Sequence, residues 1–241
     1  MAQPAKTPIR SITAGVMALL LLCCGTARAV QQTTDQTPSP PIAPAPPQPK
    51  RILGIIPNYR SVSANTNLPP LSFREKMVLA TQDSFDYSSF IFVGMLAGAG
   101  LAQHSYPEFQ RGAAGYARYY WHSFADQVVG NYSSEVIVPA IAREDPRYYT
   151  LGHGGFFVRT GYATSRLFIT KTNSGGRHFN FSEIAGNGIG AGLSNLYYPG
   201  RERTWTKTQQ KWVTQVALDG VFNVFKEFWP DINQRVFRKH Y

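Results

Sequence analysis

The sequence predicts an all-α fold, about five helices in a Gly- and aromatic-rich bundle, and three observations carry that prediction. Beyond residue 70, apolar side chains recur at spacings of three and four, the period of a helix with one buried face. Capping residues and prolines punctuate those stretches at helical lengths. The apolar runs 90–96 and 136–142 are continuous, whereas the strands of an outer-membrane barrel would alternate lipid-facing and lumen-facing residues.

The organisation before the bundle is read from composition. Residues 1–29 have the layout of a secretory signal peptide. Lys6 and Arg10 supply the positive start, residues 12–24 an apolar run, and Ala27-Arg28-Ala29 a small-residue site that would be cut before Val30. The apolar run is shorter than the ~20 residues a membrane span needs. Residues 30–51 are polar and then dense in proline, so they lack core-forming side chains and read as an extended, disordered linker. Residues 52–241 are then a single helical domain.

Each element follows in order. Arg51 to Arg60 is a short apolar stretch ending at a Pro-Asn turn, expected as an extended arm on the domain. Ser72 with Glu75 three residues on is a capping box and opens a first helix over 73–101. Its second half is uncharged and threaded with Gly94, Gly98 and Gly100. Ser105-Tyr106-Pro107-Glu108 opens a second helix, which Gly130 and Pro139 should break or kink before Asp145-Pro146 closes it. A third covers 156–171, followed by a turn at Asn173-Ser174-Gly175-Gly176. Asn180-Phe181-Ser182-Glu183 caps a fourth, ending at Tyr198-Pro199-Gly200. The fifth covers 206–228 with two apolar stripes and Pro230 as its stop.

Charge and cysteine usage narrow the function classes. The precursor carries 24 Lys+Arg against 14 Asp+Glu, and loss of Lys6, Arg10 and Arg28 leaves a surplus of seven. These cations are scattered, not gathered into a stripe or tail, so no nucleic-acid partner is expected. With export, the surplus points to an anionic lipid or cell-wall polymer as partner, or serves solubility alone. Cys23 and Cys24 both fall in the leader, which leaves the processed chain without disulfides, zinc thiolates or a cysteine nucleophile.

Candidate chemistry is sparse. Gly186 to Gly192 is glycine-rich but out of register for a dinucleotide-binding loop. Its four-residue glycine spacing suits close helix packing. Arg118, His122 and Asp126 lie four apart on the second helix, so Asp126 could orient His122 as a general base while Arg118 holds an anion; the alternative is a solvated face with an ion pair. Arg147, Arg159 and Arg166 form a further set of anion-binding candidates, because guanidinium presents a planar fork to oxyanions; they could equally neutralise nearby carboxylates. Asp83, Asp86, Glu135, Glu144 and Asp145 are carboxylates without the Glu-x-x-His spacing of a helical di-metal site. Accordingly, neither a metal nor a cofactor is expected. His153-Gly154-Gly155 lacks the G-x-S-x-G partner of an esterase oxyanion loop.

Four segments, Ile56-Pro57-Asn58-Tyr59-Arg60, Asp145-Pro146-Arg147-Tyr148-Tyr149, Phe179-Asn180-Phe181-Ser182-Glu183 and Glu227-Phe228-Trp229-Pro230-Asp231, resemble an uncharacterised family of exported bacterial proteins. The resemblance covers about residues 52–232 and implies one exported domain without implying an activity. The expected function is therefore binding or scaffolding at a membrane or cell-wall surface, with the protein in the periplasm or at the outer membrane. The alternative is a lipid- or wall-directed hydrolase that uses the His122 and Asp126 pair with an Arg-lined site for an anionic substrate.

Overall fold

The computed structural model describes residues 50–237 apart from 64, 65 and 67; the expected signal peptide and all but the last two linker residues lie outside the described residues. Six helical rods make up most of the described chain. They are α1 (Phe73–Phe85), α2 (Tyr87–Ala102), α3 (Gly112–Tyr132) running through a π turn (Ser133–Ile137) into α4 (Val138–Ile141), α5 (Phe156–Ser165), α6 (Asn187–Leu193) behind a second π turn (Ser182–Gly186), and α7 (Trp205–Phe237). Strands are confined to short ladders. The arm forms an antiparallel β1 (Arg51–Ile52) and β2 (Ile56–Pro57) pair, and β3 (Ser61–Val62) pairs in parallel with β5 (Tyr148–Tyr149). β4 (Glu144–Asp145), β6 (Ile169–Thr172) and β7 (Arg177–Phe179) form an antiparallel sheet in that order. The all-α expectation stands, with about six helices in place of five.

Each departure from expectation has a specific cause. The first expected helix divides at Asp86, which is extended (φ −68°, ψ 146°) and accepts from the Ser88 N–H as the cap of α2. The same carboxylate takes two hydrogen bonds from Arg51 and one from Tyr59, so tertiary partners hold the break open. At Ser105 to Glu108 only a 3-10 turn (Pro107–Phe109) forms, because Gln110 and Gly112 take positive φ and stop propagation until α3. The third helix ends at Ser165 and its expected tail becomes β6, drawn off by ladder partners on both sides. Pro230 does not stop the last helix. Arg159 brackets the proline, donating to the Glu227 carbonyl and pairing with both Glu227 and Asp231.

The Ser72–Glu75 capping box is present in both halves. The glycine stripe packs as its spacing implied. A Cβ on Gly186 would lie 2.6 Å from the Ser134 Cα, one on Gly190 3.0 Å from the Gly130 Cα, and one on Gly188 3.1 Å from the Trp212 ring. These contacts seat α6 and its π turn against α3 and α7.

An aromatic cluster of Phe109, Tyr119 and Tyr198 with Ala97 is the main apolar core, extended by Tyr106, Tyr120, Tyr197 and Leu101. Elsewhere the interior mixes apolar residues such as Ile52, Val93, Val136 and Leu167 with charged ones: Lys76, Glu135, Glu144, Arg159, Lys226 and Glu227 are all buried, while Phe157, Ile141 and Leu196 are 86, 79 and 75% exposed. Soluble domains ordinarily show the reverse partition.

Candidate functional site: an ion-lined cleft between two π turns

A π turn inserts one residue into a helix, widening it and re-aiming the side chains there. Both π turns among the described residues carry a Ser-Glu pair, Ser134-Glu135 in the first and Ser182-Glu183 in the second. Gly186 lets the second turn approach the Ser134 backbone, so the two turns touch and both glutamates line one interior space. Arg60 from the arm, Asp219 and Lys226 from α7, and Asp145, Arg147, Arg166 and Lys171 from the β4–β6 region complete its charged lining. The space measures about 70 Å³, enough for on the order of five waters or one small polar group.

Arg60 sits between two carboxylates, with Nε 2.9 Å from Asp83 Oδ2 and Nη2 3.2 Å from Glu135 Oε1. Burial alone would lower its pKa, but the summed field of Glu135, Asp83, Asp219 and Glu183 raises it. Glu135 is 2% exposed and its Oε2 accepts no hydrogen bond. Burial raises the pKa of this carboxyl, Arg60 opposes that shift and Asp83 adds to it. Glu183 is pushed well above the carboxylate range by burial first and by the neighbouring Asp219 charge second. Asn187 Nδ2 bridges them, 3.0 Å from Glu183 Oε1 and 3.1 Å from Asp219 Oδ2.

On the strand side, Asp145 and Arg147 neutralise each other through a bidentate contact of 2.9 and 2.7 Å. The Tyr149 hydroxyl adds a donor to Asp145 at 2.8 Å. Three other cations differ. Arg166 lies 5.1 Å from the centre of the Tyr162 ring and Lys171 3.6 Å from that of Tyr149, while Lys226 is 8% exposed on α7. None of the three side chains makes a hydrogen bond or ion pair with a described residue, and the Arg166 Nε is buried without a partner. Burial lowers the pKa of Lys171, and lowers that of Lys226 to about 8 with Arg60 adding repulsion.

Of the residues singled out from sequence, Arg147 and Arg166 line this cleft. Arg118 lies elsewhere, donating to the Phe109 carbonyl and to Gln110. Arg159 is in the lock around Glu227 and Asp231, over the Phe228 ring. His122 is buried among Phe109, Trp121 and Tyr198, with Nδ1 2.7 Å from the Arg118 carbonyl and Nε2 3.2 Å from the Tyr197 carbonyl. A neutral imidazole has one N–H, so it can satisfy one of those carbonyls at a time; burial lowers its pKa. Asp126 accepts from the Tyr197 and Tyr198 hydroxyls at 2.6 and 2.7 Å, with Lys211 at 3.4 Å, and makes no hydrogen bond to His122. Among the described residues no group of three His, Cys, Asp or Glu stands where it could hold a metal ion.

Sequence reasoning passed over Lys171, Asp219 and Lys226, and weighed Glu183 only as a cap and a neutralising partner. Arg60, Arg147 and Glu183 lie in three of the four segments quoted from the sequence, and Glu227 in the fourth, but no local pattern marked them as lining one cleft. No family model, no curated protein and no solved structure matches the chain.

Proposed function

We propose that this is an exported protein of the cell envelope that binds, or scaffolds at, an anionic lipid surface, seated there by its apolar exterior. One observation carries the reading: the buried side chains include Lys76, Glu135, Glu144, Lys226 and Glu227, while every helical rod leaves large apolar side chains exposed. Ile91 and Met95 on α2, Phe157 on α5, Leu193 on α6 and Trp205 and Phe225 on α7 are among them. Exposed apolar surface of that extent marks contact with a membrane or another apolar surface.

No single described helix is long and apolar enough to cross a membrane; α1 and α2 pass that test only as a pair, bent by 52°. Seating at the interface needs no span. It needs apolar side chains at acyl depth and positive charge toward the headgroups, which the excess of Lys and Arg supplies. The proposed relationship to exported bacterial proteins and the signal-peptide layout of residues 1–29 support an address outside the cytoplasm.

Fractionation of cells producing the full chain tests this. The form found in the envelope should begin at Val30, resist release by osmotic shock, come out with detergent, and float with phosphatidylglycerol vesicles. Quantitative release by osmotic shock, with no flotation, would sink the reading.

A further inference from the structure

We propose that the cleft between the two π turns binds a phosphate-type oxyanion, held by Arg166, Lys171 and Lys226. The inference stands apart from the seating of the protein on lipid, since it rests on the interior and not on the exterior.

The argument begins from satisfaction. A buried or half-buried cation without a hydrogen-bonding partner is costly, and native proteins rarely leave one so unless a ligand or water completes it. Here three cations whose side chains make no hydrogen bond with a described residue line the same small space, and one of them, Arg166, has its Nε buried without a partner. Nearby carboxylates act on them through space, but none is within hydrogen-bonding or ion-pairing distance among the described residues. Asp145 is taken by Arg147, Glu135 faces Arg60, and Glu183 and Asp219 both accept from Asn187 Nδ2. The lining holds five cations, Arg60, Arg147, Arg166, Lys171 and Lys226, against four carboxylates, Glu135, Asp145, Glu183 and Asp219, a formal excess of one positive charge that suits an anion better than a neutral ligand.

Geometry favours a compact tetrahedral group. Guanidinium offers a planar fork and each ammonium three rotatable donors, a set matched to an anion with three or four acceptor oxygens, and an interior of about 70 Å³ admits a group of that size. Lys226 forms the floor, buried on α7, while Arg166 and Lys171 are half-exposed nearer the rim beside the exposed Ile169, so an anion could enter past β6. A larger groove of about 370 Å³, lined by Pro69, Pro70 and Ser174, shares Asp145, Tyr149 and Lys171 with the cleft. It could hold the organic part of a phosphate ester.

Isothermal titration of the full chain in detergent with inorganic phosphate and with glycerol 3-phosphate tests the site, beside flotation with phosphatidylglycerol or phosphatidylcholine vesicles. Wild-type protein should bind at least one soluble phosphate compound or prefer the phosphatidylglycerol vesicles. Lys226→Met and Arg166→Gln should each weaken that binding at least tenfold, Lys226→Arg should keep it within a few-fold, and Arg118→Gln, outside the cleft, should leave it unchanged. Soluble binding assigns a free phosphate or phosphate ester; a vesicle preference lost in the same two variants assigns a lipid headgroup. No binding in either arm, or equal binding by Lys226→Met, Arg166→Gln and wild type with circular dichroism unchanged, overturns the proposal. Flotation of both variants on phosphatidylcholine vesicles would keep the apolar seating separate from either outcome.

Discussion

Two buried ionic regions of this molecule share a helix and differ in one respect. Glu227 on α7 is fully buried and accepts four hydrogen bonds, from the Tyr148 hydroxyl, the Leu151 and Gly152 N–H groups and Arg159 Nε, at 2.9 to 3.0 Å. Arg159 in turn is spent on Glu227, Asp231 and the Phe228 ring. One residue earlier in sequence, Lys226 makes no such bond with a described residue, and across the cleft Glu135 keeps an oxygen without a described hydrogen-bond partner. Burial is the same in kind; hydrogen-bond satisfaction is not. The first region locks the segment 148–159 onto α7 and has no capacity left over, whereas the second keeps donors and acceptors in reserve.

That comparison can be broken by mutation, and the largest effect belongs to the satisfied side. Glu227→Ala should cost about 3–5 kcal/mol in denaturant unfolding, because it strands Arg159 and three donors inside the protein. Next comes the contact that sets the two π turns together. Gly186→Ala drives a Cβ into the Ser134 backbone and should cost about 1–3 kcal/mol, together with any binding in the cleft.

The unsatisfied side should respond to pH. The Lys226 ammonium has a native pKa near 8 against 10.5 for the free side chain, because burial disfavours the charge. Between those values the unfolded chain binds the extra proton, so stability rises with pH from about 8 toward 10.5, and below 8 the burial penalty is present in full. Lys211, also lowered to about 8 by burial, acts in the same window. The difference between wild type and Lys226→Met isolates the first: wild type should gain up to about 2 kcal/mol relative to the variant from pH 7.5 to 9.5, read by thermal unfolding. A parallel pair of curves would mean that water or an unseen partner already satisfies the amine. The smallest effect is that of Arg166→Gln, which removes no hydrogen bond or ion pair and should change stability by less than about 1 kcal/mol while weakening phosphate binding. A large loss of stability there would erase the distinction between the two regions.

Much of the helical framework was legible in the residue pattern. The Ser72–Glu75 box, the turn at Asn173 to Gly176 and the close packing through Gly186, Gly188 and Gly190 all rest on interactions among near neighbours or on a missing side chain, and such features keep their meaning in any context. The break at Asp86 was not legible, since Arg51 and Tyr59, far back in sequence, decide it. The passage through Pro230 depends likewise on Arg159, some seventy residues away. For the cleft, Arg147 and Arg166 were named on guanidinium chemistry alone, and both line it. Arg159 was named on the same grounds and is instead spent in the lock. Nothing local separates these three, because a free arginine and a neutralised one have the same side chain.

What the sequence determined by itself was periodicity, caps and the residue types available: an all-α chain rich in glycine and aromatic side chains. The tertiary structure alone decided that its charges turn inward and many of its large apolar residues outward, and which inward charges find partners. The reason is range. Helix-forming preferences act over one or two turns, whereas the pairing of Arg60 with Glu135, or the burial of Lys226 beside Arg60 without a hydrogen bond to a described residue, is set by which distant segments the packing brings within a few ångströms.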